Sequence, residues 1–232
     1  MRNQTKNTIG IIGGAGPMAG QLLMKKIITN YQKNYGCVND YDFPKMILLS
    51  YPFSEMLEST KASEKDNKIS QQLEDSLDFL IENGANKIGI ACNTLHGFLD
   101  KTCHRNRLVN LIKETKIYLT EQKFSKALVL CTNTSVQKNV HDYISISLPN
   151  NEEQKLIDYL IRAVLSGAFS LQESQQLKSY IFSKTMKDPV IDCVILGCTE
   201  LSVLYDEFPM EISGIKMIDP LDLLASKICI SK

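Results

Sequence analysis

The chain has 232 residues, 44% of them hydrophobic and 22% charged, which is typical of a globular protein with one large or two small α/β domains. Its 26 basic and 26 acidic residues give a formal net charge of zero, so we do not expect nucleic acid as a partner. Seven cysteines without a CxxC pair, a poor signal peptide and no bilayer-length apolar stretch predict a cytoplasmic protein with no membrane partner.

The first half of the chain alternates short apolar runs with longer amphipathic segments. We predict strands at 8–14, 45–51 and 87–91 and helices at 17–35 and 64–83. Pro17 suits the first position of a helix, and Gly84 is expected to end the second helix.

The second half repeats this alternation. We predict strands at 108–112, 126–131, 190–197 and 215–219, and helices at 113–122, 152–166, 171–187 and after Pro220. Strand–helix alternation of this kind predicts an α/β fold, with mostly parallel sheets and helices on both faces.

A weak internal duplication divides the chain into two similar lobes. The stretch IIGGAG corresponds to ALVLCTNTS, and GANKIGIACNT corresponds to IDCVILGCTE. We assign residues 1–106 plus 215–232 to a first lobe, which carries Cys92, and residues 107–214 to a second lobe, which carries Cys198. Because ligands of α/β proteins bind where parallel strands end, we expect the active site in the cleft between the lobes.

Cys92 and Cys198 each end an apolar strand and are followed by a polar cluster that contains threonine. The start of a helix lowers the pKa of a nearby thiol, so we expect thiolate character at both positions. A buried cysteine usually acts as a small hydrophobic residue, and we give that role to Cys37, Cys103, Cys131, Cys193 and Cys229. The matching contexts of the other two cysteines favour a function.

Three motifs of the chain resemble those of a known family. The stretches IGIIGGAGP, ACNTLH and GCTEL are similar to GGxGP, CNTxH and GCTE of the aspartate/glutamate racemase superfamily, and the resemblance extends from Ile9 to the C-terminal helix. It implies two similar three-layer α/β domains related by a pseudo-twofold axis, a homodimer, and racemisation of free amino acids without a cofactor. It also implies a pair of cysteines that act on opposite faces of the substrate.

Inversion at an α-carbon needs one base to remove the proton and one acid to supply another from the opposite side. We assign these roles to Cys92 and Cys198, and we expect no metal. Hydrogen-bond donors beside the substrate carboxylate would stabilise the carbanion. The candidates for substrate binding are Gly14, Ala15, Asn93, Thr94, Thr132, Thr134 and Thr199.

His96 and Glu200 follow the two cysteines closely and are candidates to tune them. The alternative for His96 is a helix residue bonded to nearby backbone. The alternative for Glu200 is a first-turn carboxylate stabilised by the helix dipole.

Basic residues are missing where relatives that use acidic amino acids carry, by resemblance, an arginine and a lysine. Met56, Leu57 and Glu58 follow the second strand, and Leu165 stands near the position of the lysine. Lys61, Lys155 and Arg162 are out of register. The stretch YPFSEML resembles the broad-specificity branch, which acts on neutral or basic side chains, so we predict a specificity that is either broad or non-acidic. Glu55 or Glu58 would then contact a substrate ammonium group or remain on a solvated loop.

Other functions remain open at this point. GAGPMA fits the GxGxxA pattern of NAD(P)-dependent oxidoreductases, but the second strand ends in Ser50 and Tyr51 rather than in an acid. Cys92, His96, Cys103 and His104 would be the candidates for zinc, without a CxxC pair to support them. An amino-acid-binding protein without turnover, a decarboxylase and a hydantoin racemase complete the alternatives.

Overall fold

The computed structural model describes residues 8–54, 62–99, 104, 106–143 and 145–229. Glu55, Met56, Leu57, Glu58, Lys61 and Cys103, which the sequence analysis considered, lie outside these residues. The strands are β1 (Ile9–Gly13), β2 (Met46–Ser50), β3 (Lys87–Ile90), β4 (Leu108–Val109), β5 (Ala127–Val129), β6 (Ile146–Ser147), β7 (Cys193–Ile195) and β8 (Lys216–Ile218). The α-helices are α1 (Pro17–Tyr35), α2 (Ala62–Glu82), α3 (Leu111–Gln122), α4 (Asn133–Gln137), α5 (Asn151–Ser166), α6 (Leu171–Lys187), α7 (Thr199–Glu207) and α8 (Pro220–Cys229).

The strands form two parallel four-stranded sheets with the same spatial order. The first sheet runs β2-β1-β3-β4 and the second runs β6-β5-β7-β8. This repetition confirms the predicted α/β class and its two similar halves. In both sheets the two central strands end at loops that the sequence analysis marked as functional.

Alternate residues of the central strands face different layers of helices, as the twofold period of a strand requires. In the first sheet, Ile9 and Ile11 pack in the cluster that contains α1 and α8, whereas Ile12 packs in the cluster that contains α2. In the second sheet, Leu128 faces α5 and Val129 faces α3. Helices therefore cover both faces of each sheet.

One apolar cluster extends through both halves. It joins residues of α1 and α8 beside the first sheet to residues of α5, α6 and α7 beside the second sheet. Burial of apolar area contributes about 25 cal/mol per Å², so this shared core stabilises the contact between the halves as well as each half. The loops at the ends of β1, β3, β5 and β7 are thereby held on a common frame.

The predicted lobe boundaries differ from the sheets at two strands. The strand β8 was expected in the first lobe, but it pairs with β7 in the second sheet, and Leu108–Val109 pairs with β3 in the first sheet. Helix α8, which follows β8, packs against α1 and α3. The chain therefore leaves the first half after β4 and returns to it only at α8, which in both cases is one strand later than predicted.

Several predicted strands are shorter in the structure. The predicted strand 108–112 ends at Val109, because the Asn110 side chain accepts a hydrogen bond from the Lys113 amide and begins α3 at Leu111. The predicted strand 190–197 pairs only over Cys193–Ile195, since its neighbours β5 and β8 are three residues long. Within the described ranges, no helix has both the length and the apolar composition needed to cross a bilayer.

Candidate active site

A cavity of about 290 Å³ lies where the central strands of the two sheets end. Gly14 follows β1 and Cys92 follows β3 in the first sheet, while Thr132 follows β5 and Cys198 follows β7 in the second. Its lining residues are Gly14, Ala15, Gly16, Phe53, Ser54, Cys92, Asn93, Thr94, Thr132, Ile161, Leu165, Cys198, Thr199 and Glu200. The cleft predicted between the lobes is therefore present, and both halves contribute to it.

The two thiols belong to different halves and line this same cavity. Cys92 is 7% exposed and Cys198 is 6% exposed, so each is nearly enclosed except toward the cavity. They are close enough that negative charge on Cys92 raises the pKa of Cys198. The arrangement places two sulfurs around one small ligand-sized space.

Burial governs the ionisation of Cys92. Desolvation, followed by the negative charge of Glu200, raises the pKa of Cys92 to about 12, against hydrogen bonds from the Leu95 and Thr94 amides and the Thr94 hydroxyl. The segment after Cys92 is a five-residue 3₁₀ helix, Thr94–Phe98. The prediction of a lowered pKa is wrong here, because a few amides of a short helix do not offset full burial of the thiolate.

Cys198 is held by a carboxylate. It occupies the N-cap position of α7, and its Sγ donates a hydrogen bond to Glu200 Oε2 at 2.8 Å. Burial and the negative Glu200 raise the pKa of Cys198 well above its usual value, so the predicted lowering is wrong for this thiol too. Glu200 combines both alternatives of the sequence analysis, since it is a first-turn residue of α7 and also contacts the cysteine.

Gly16 makes room for the Glu200 carboxylate. Its φ of +90° lies in the left-handed region, and a Cβ built on it would stand 1.8 Å from Glu200 Oε1. A side chain at this position would displace the carboxylate, so the glycine lets Glu200 lie against the end of β1. Gly16, the third glycine of the GGAGP motif, thus allows the Glu200 carboxylate to approach the backbone closely.

His96 is bonded to backbone, the second of its two predicted alternatives. The Leu111 amide donates to Nε2 at 3.3 Å, so Nδ1 carries the proton and donates to the Cys92 carbonyl at 2.9 Å. Burial lowers the pKa of His96 to about 4, which keeps the ring neutral at pH 7. The ring does not line the cavity, and it fixes the loop after β3 to the start of α3.

A buried cluster of hydroxyl groups joins the halves beside the cavity. Thr94 Oγ1 lies 2.9 Å from Ser135 Oγ and 3.3 Å from Thr132 Oγ1, and Thr132 caps α4 by accepting from the Ser135 amide. Thr199 Oγ1 donates to the Ala91 carbonyl across the same boundary at 3.4 Å. These contacts order the hydroxyls that face the ligand space.

Asn93 is the polar residue of this cavity whose hydrogen bonds are incomplete. The residue is 1% exposed, and neither Oδ1 nor Nδ2 has a hydrogen-bond partner among the described residues. Buried amides are almost always paired, because leaving one unpaired costs about 1–3 kcal/mol. An unpaired buried amide on a cavity wall is a candidate to bind a ligand.

Most of the predicted substrate-binding residues line the cavity, but Thr134 does not. Thr134 lies within α4, two residues beyond the capping Thr132, and residues two apart on a helix do not share a face. Four further residues line the cavity that were not predicted, namely Gly16, which precedes α1, Phe53 and Ser54, which follow β2, and Ile161 on α5. Ile161 and Leu165 are four residues apart on α5, which is a signal that helical spacing alone could have supplied.

The described cavity wall contains a single carboxyl side chain, that of Glu200, and neither lysine nor arginine. Leu165 lines the wall near the position where a lysine was sought. Phe53, Ile161 and Leu165 make this part of the wall apolar. Glu55 and Glu58, the predicted contacts of a substrate ammonium group, lie outside the described residues.

The zinc alternative gains no support from the described part of the chain. Over those residues, no three His, Cys, Asp or Glu side chains are grouped as metal ligands. His104 Nε2 lies 2.7 Å from Asp78 Oδ1, and His96 is committed to backbone. Cys103, the remaining candidate, lies outside the described residues.

Comparisons with known proteins show which family this chain resembles. The model of the Asp/Glu/Hydantoin racemase family matches residues 12–228. The chain is 26% identical over 213 residues to the broad specificity amino-acid racemase RacX of Bacillus subtilis, covering 88% of this chain and 90% of that protein. It is 28% identical over 139 residues to the glutamate racemase of Campylobacter concisus, covering 57% and 53% of the two chains.

Solved structures share the fold. An aspartate racemase of Picrophilus torridus superposes with a TM-score of 0.73 at 22% identity, covering 96% of this chain and 92% of that one. An aspartate racemase homologue of Pyrococcus horikoshii gives 0.72 at 23% identity, covering 97% of each chain. With the family model spanning nearly the whole sequence, the chain belongs to the Asp/Glu/Hydantoin racemase family.

Proposed function

We propose that this protein racemises free α-amino acids without pyridoxal phosphate, with Cys92 and Cys198 as the two proton-transfer groups. The observation that carries the proposal is the placement of one thiol from each half on the wall of the same cavity. The family model and the relatives, which are named amino-acid, glutamate and aspartate racemases, support the reaction class.

In the proposed reaction, one sulfur acts as thiolate and removes the α-proton, and the C–H electron pair remains on the α-carbon. The other sulfur, still a thiol, then donates its proton to the opposite face of that carbon. The product is the other enantiomer, and the two sulfurs have exchanged protonation states. Because the enantiomers have equal free energy, two chemically similar groups serve both directions.

The pKa values of both thiols are raised, so the reaction requires a thiolate that is costly to form in this cavity. The thiolate of Cys92 would be stabilised by the Leu95 and Thr94 amides and the Thr94 hydroxyl. The thiol of Cys198 would keep its proton in the hydrogen bond to Glu200. This asymmetry favours a state in which Cys92 ionises while Cys198 stays protonated.

The substrate carboxylate has suitable partners on the same wall. The Asn93 amide lacks a partner among the described residues, and Thr94, Thr132 and Thr199 line the cavity beside it. Hydrogen bonds to the carboxylate strengthen as the carbanion spreads its charge onto those oxygens. These four residues would therefore both orient the substrate and stabilise the intermediate.

The apolar wall supports substrates with neutral side chains. A second carboxylate buried beside Phe53, Ile161 and Leu165 would lack a cation among the described lining residues, and such burial is costly. The broad specificity named for the relative RacX is consistent with this preference. We therefore include alanine, leucine, methionine and other neutral amino acids in the substrate range.

The oxidoreductase alternative is less compatible with the glycine loop. The carboxylate of Glu200 lies against Gly16, where a dinucleotide would bring its negatively charged pyrophosphate close to the loop. Repulsion between these groups disfavours that ligand. A binding protein without turnover can be distinguished from an enzyme by measuring α-proton exchange.

The test is a panel of the common L-amino acids in deuterated buffer, followed by NMR of the α-proton and by chiral chromatography. We expect α-proton loss and optical inversion with neutral amino acids. Activity should survive dialysis against hydroxylamine, which removes pyridoxal phosphate. Binding without exchange would establish the non-catalytic alternative, and loss of activity after hydroxylamine treatment would contradict the cofactor-independent mechanism.

A further inference from the structure

Glu200 is a buried carboxylate in the cavity wall whose contacts are with uncharged groups. The residue is 6% exposed and accepts a hydrogen bond from the Cys198 thiol at 2.8 Å. Burial raises the pKa of Glu200, and Cys198, the amide of Glu200 at the start of α7 and the Thr199 side chain offset only part of this increase. Among the described lining residues there is no lysine, arginine or histidine to balance its charge. A buried charge without an opposite charge is costly, and proteins normally pair it.

The second buried carboxylate of this region shows the usual solution. Asp219 is 4% exposed and lies 3.0 Å from Lys26 Nζ, and it also accepts a hydrogen bond from Ser202 at 2.7 Å. Glu200 has comparable burial and comparable neutral donors, but its described surroundings provide no cation. The difference is that Glu200 lines a cavity that a ligand can enter, whereas Asp219 does not.

A free amino acid carries the missing charge at a fixed position, because its ammonium nitrogen is bonded directly to the α-carbon. Glu200 Oε2 is one hydrogen bond, 2.8 Å, from the sulfur of Cys198. A cation held by this carboxylate would place the α-carbon beside that sulfur. Gly16 leaves the space that Oε1 occupies, so the carboxylate can adopt this position.

We propose that Glu200 binds the α-ammonium group of the substrate, so that the ligand supplies the cation that the cavity wall lacks. This assignment rests on the proposed function and extends it to a residue that recognises the amino group. A ligand with the same carboxylate and side chain but without an ammonium group would lose this contact.

Substrate binding would also change the ionisation of the thiols. The negative charge of Glu200 contributes to the raised pKa of both Cys92 and Cys198. An ammonium group paired with Glu200 cancels much of this field and makes a thiolate easier to form. The thiols would thus become reactive when an amino acid occupies the cavity, and less so when the cavity is empty.

Calorimetry with matched ligands tests the assignment. The ligands are L-alanine and L-leucine, each compared with the 2-hydroxy acid of the same configuration, namely L-lactate and 2-hydroxy-4-methylpentanoate. Wild type is compared with Glu200→Gln and with Glu173→Gln. Glu173 is a matched control because it is also a first-turn helix carboxylate, is 6% exposed and accepts hydrogen bonds from the neutral Tyr159 and Ser170 side chains, but it lies outside the cavity.

We expect wild type and Glu173→Gln to bind the amino acids roughly ten- to a hundredfold more tightly than the hydroxy acids, as expected for a hydrogen bond to a charged group. Glu200→Gln should lose this preference and bind both ligands with similar affinity. Gly16→Ala, which displaces the Glu200 carboxylate, should weaken the preference in the same direction. Circular dichroism spectra and melting temperatures establish that each variant is folded.

Equal binding of the two ligand types by wild type, binding of neither type, or an undiminished preference in folded Glu200→Gln would overturn the assignment. These outcomes are independent of turnover. A protein that selects the ammonium group through Glu200 but never exchanges the α-proton would refute the racemase proposal alone. Racemisation that persists without any preference for the amino acid would refute the Glu200 assignment alone.

Discussion

Replacement of Asn93 by leucine should stabilise the ligand-free protein while removing ligand binding. Asn93 is 1% exposed, and its amide oxygen and nitrogen are buried without partners among the described residues. A buried amide that is left unpaired costs about 1–3 kcal/mol. An apolar side chain removes this cost and adds apolar contact with the cavity wall.

We expect Asn93→Leu to raise the free energy of unfolding by about 1–3 kcal/mol in the absence of ligand. In a protein of this size, 1 kcal/mol shifts Tm by roughly 2–4 °C, so the expected increase is about 2–12 °C. Saturation of wild type with a racemised amino acid at about 100 times Kd should add about 2.7 kcal/mol. The same ligand should add little to Asn93→Leu, because the carboxylate partner is gone.

The assay is thermal unfolding of both proteins with and without ligand, with Asn83→Leu as the control. Asn83 is exposed and donates to the Phe79 carbonyl, so its replacement should change stability by less than about 0.5 kcal/mol. A variant at Asn93 that is less stable than wild type and still gains full stabilisation from the ligand would refute the reasoning. In that case the Asn93 amide would have a structural role and would not bind the ligand.

Three further results are expected. Leu165→Lys should raise kcat/KM for glutamate relative to leucine by roughly tenfold through a charge-assisted hydrogen bond, whereas Leu165→Met should leave this ratio unchanged. An unchanged ratio in Leu165→Lys would show that this wall does not contact the substrate side chain. Thr94→Val should move alkylation of Cys92 by iodoacetamide to higher pH, because the Thr94 hydroxyl lowers the pKa of that thiol; Thr115→Val, which removes a buried hydroxyl elsewhere, should not. Burial lowers the pKa of His141 from 6.5 to about 4. Because the unfolded chain binds this proton first, the free energy of unfolding should fall by up to about 3 kcal/mol as pH decreases from about 6.5 to 4. If urea unfolding of His141→Gln showed the same pH dependence of stability as wild type, this explanation would be wrong.

Helix boundaries were the most predictable part of the fold, because their signals are local. The predicted bounds of α1 and α6 agree with the structure, where Pro17 begins one helix and the Ser170–Glu173 capping box begins the other. Strand lengths were less predictable, since they depend on how far a neighbour extends. The apolar run 190–197 could not reveal that β5 and β8 pair with only three of its residues.

The site was predictable where it follows strand ends and less so where it depends on packing. Cys92, Cys198 and the polar residues beside them lie in loops whose position the parallel topology fixes. Phe53, Ser54 and Ile161 reach the cavity through tertiary contacts that no local pattern encodes.

The prediction that the pKa values of both thiols are lowered was wrong for a related reason. The sequence places both thiols near helix starts, but it does not report how deeply they are buried or that Glu200 lies beside them. In the structure, desolvation is the largest cause of the shift at both sulfurs. Local dipoles are visible in a sequence, whereas burial is a property of the assembled fold.

The most direct measurement is α-proton exchange into each pure enantiomer by Cys92→Ser and by Cys198→Ser in deuterated buffer. If the sulfurs lie on opposite faces of one ligand, each variant should lose nearly all racemisation. Each should retain exchange with a single enantiomer, and the two variants should retain opposite ones. Full racemisation by either variant, or exchange of the same enantiomer by both, would contradict the two-thiol account.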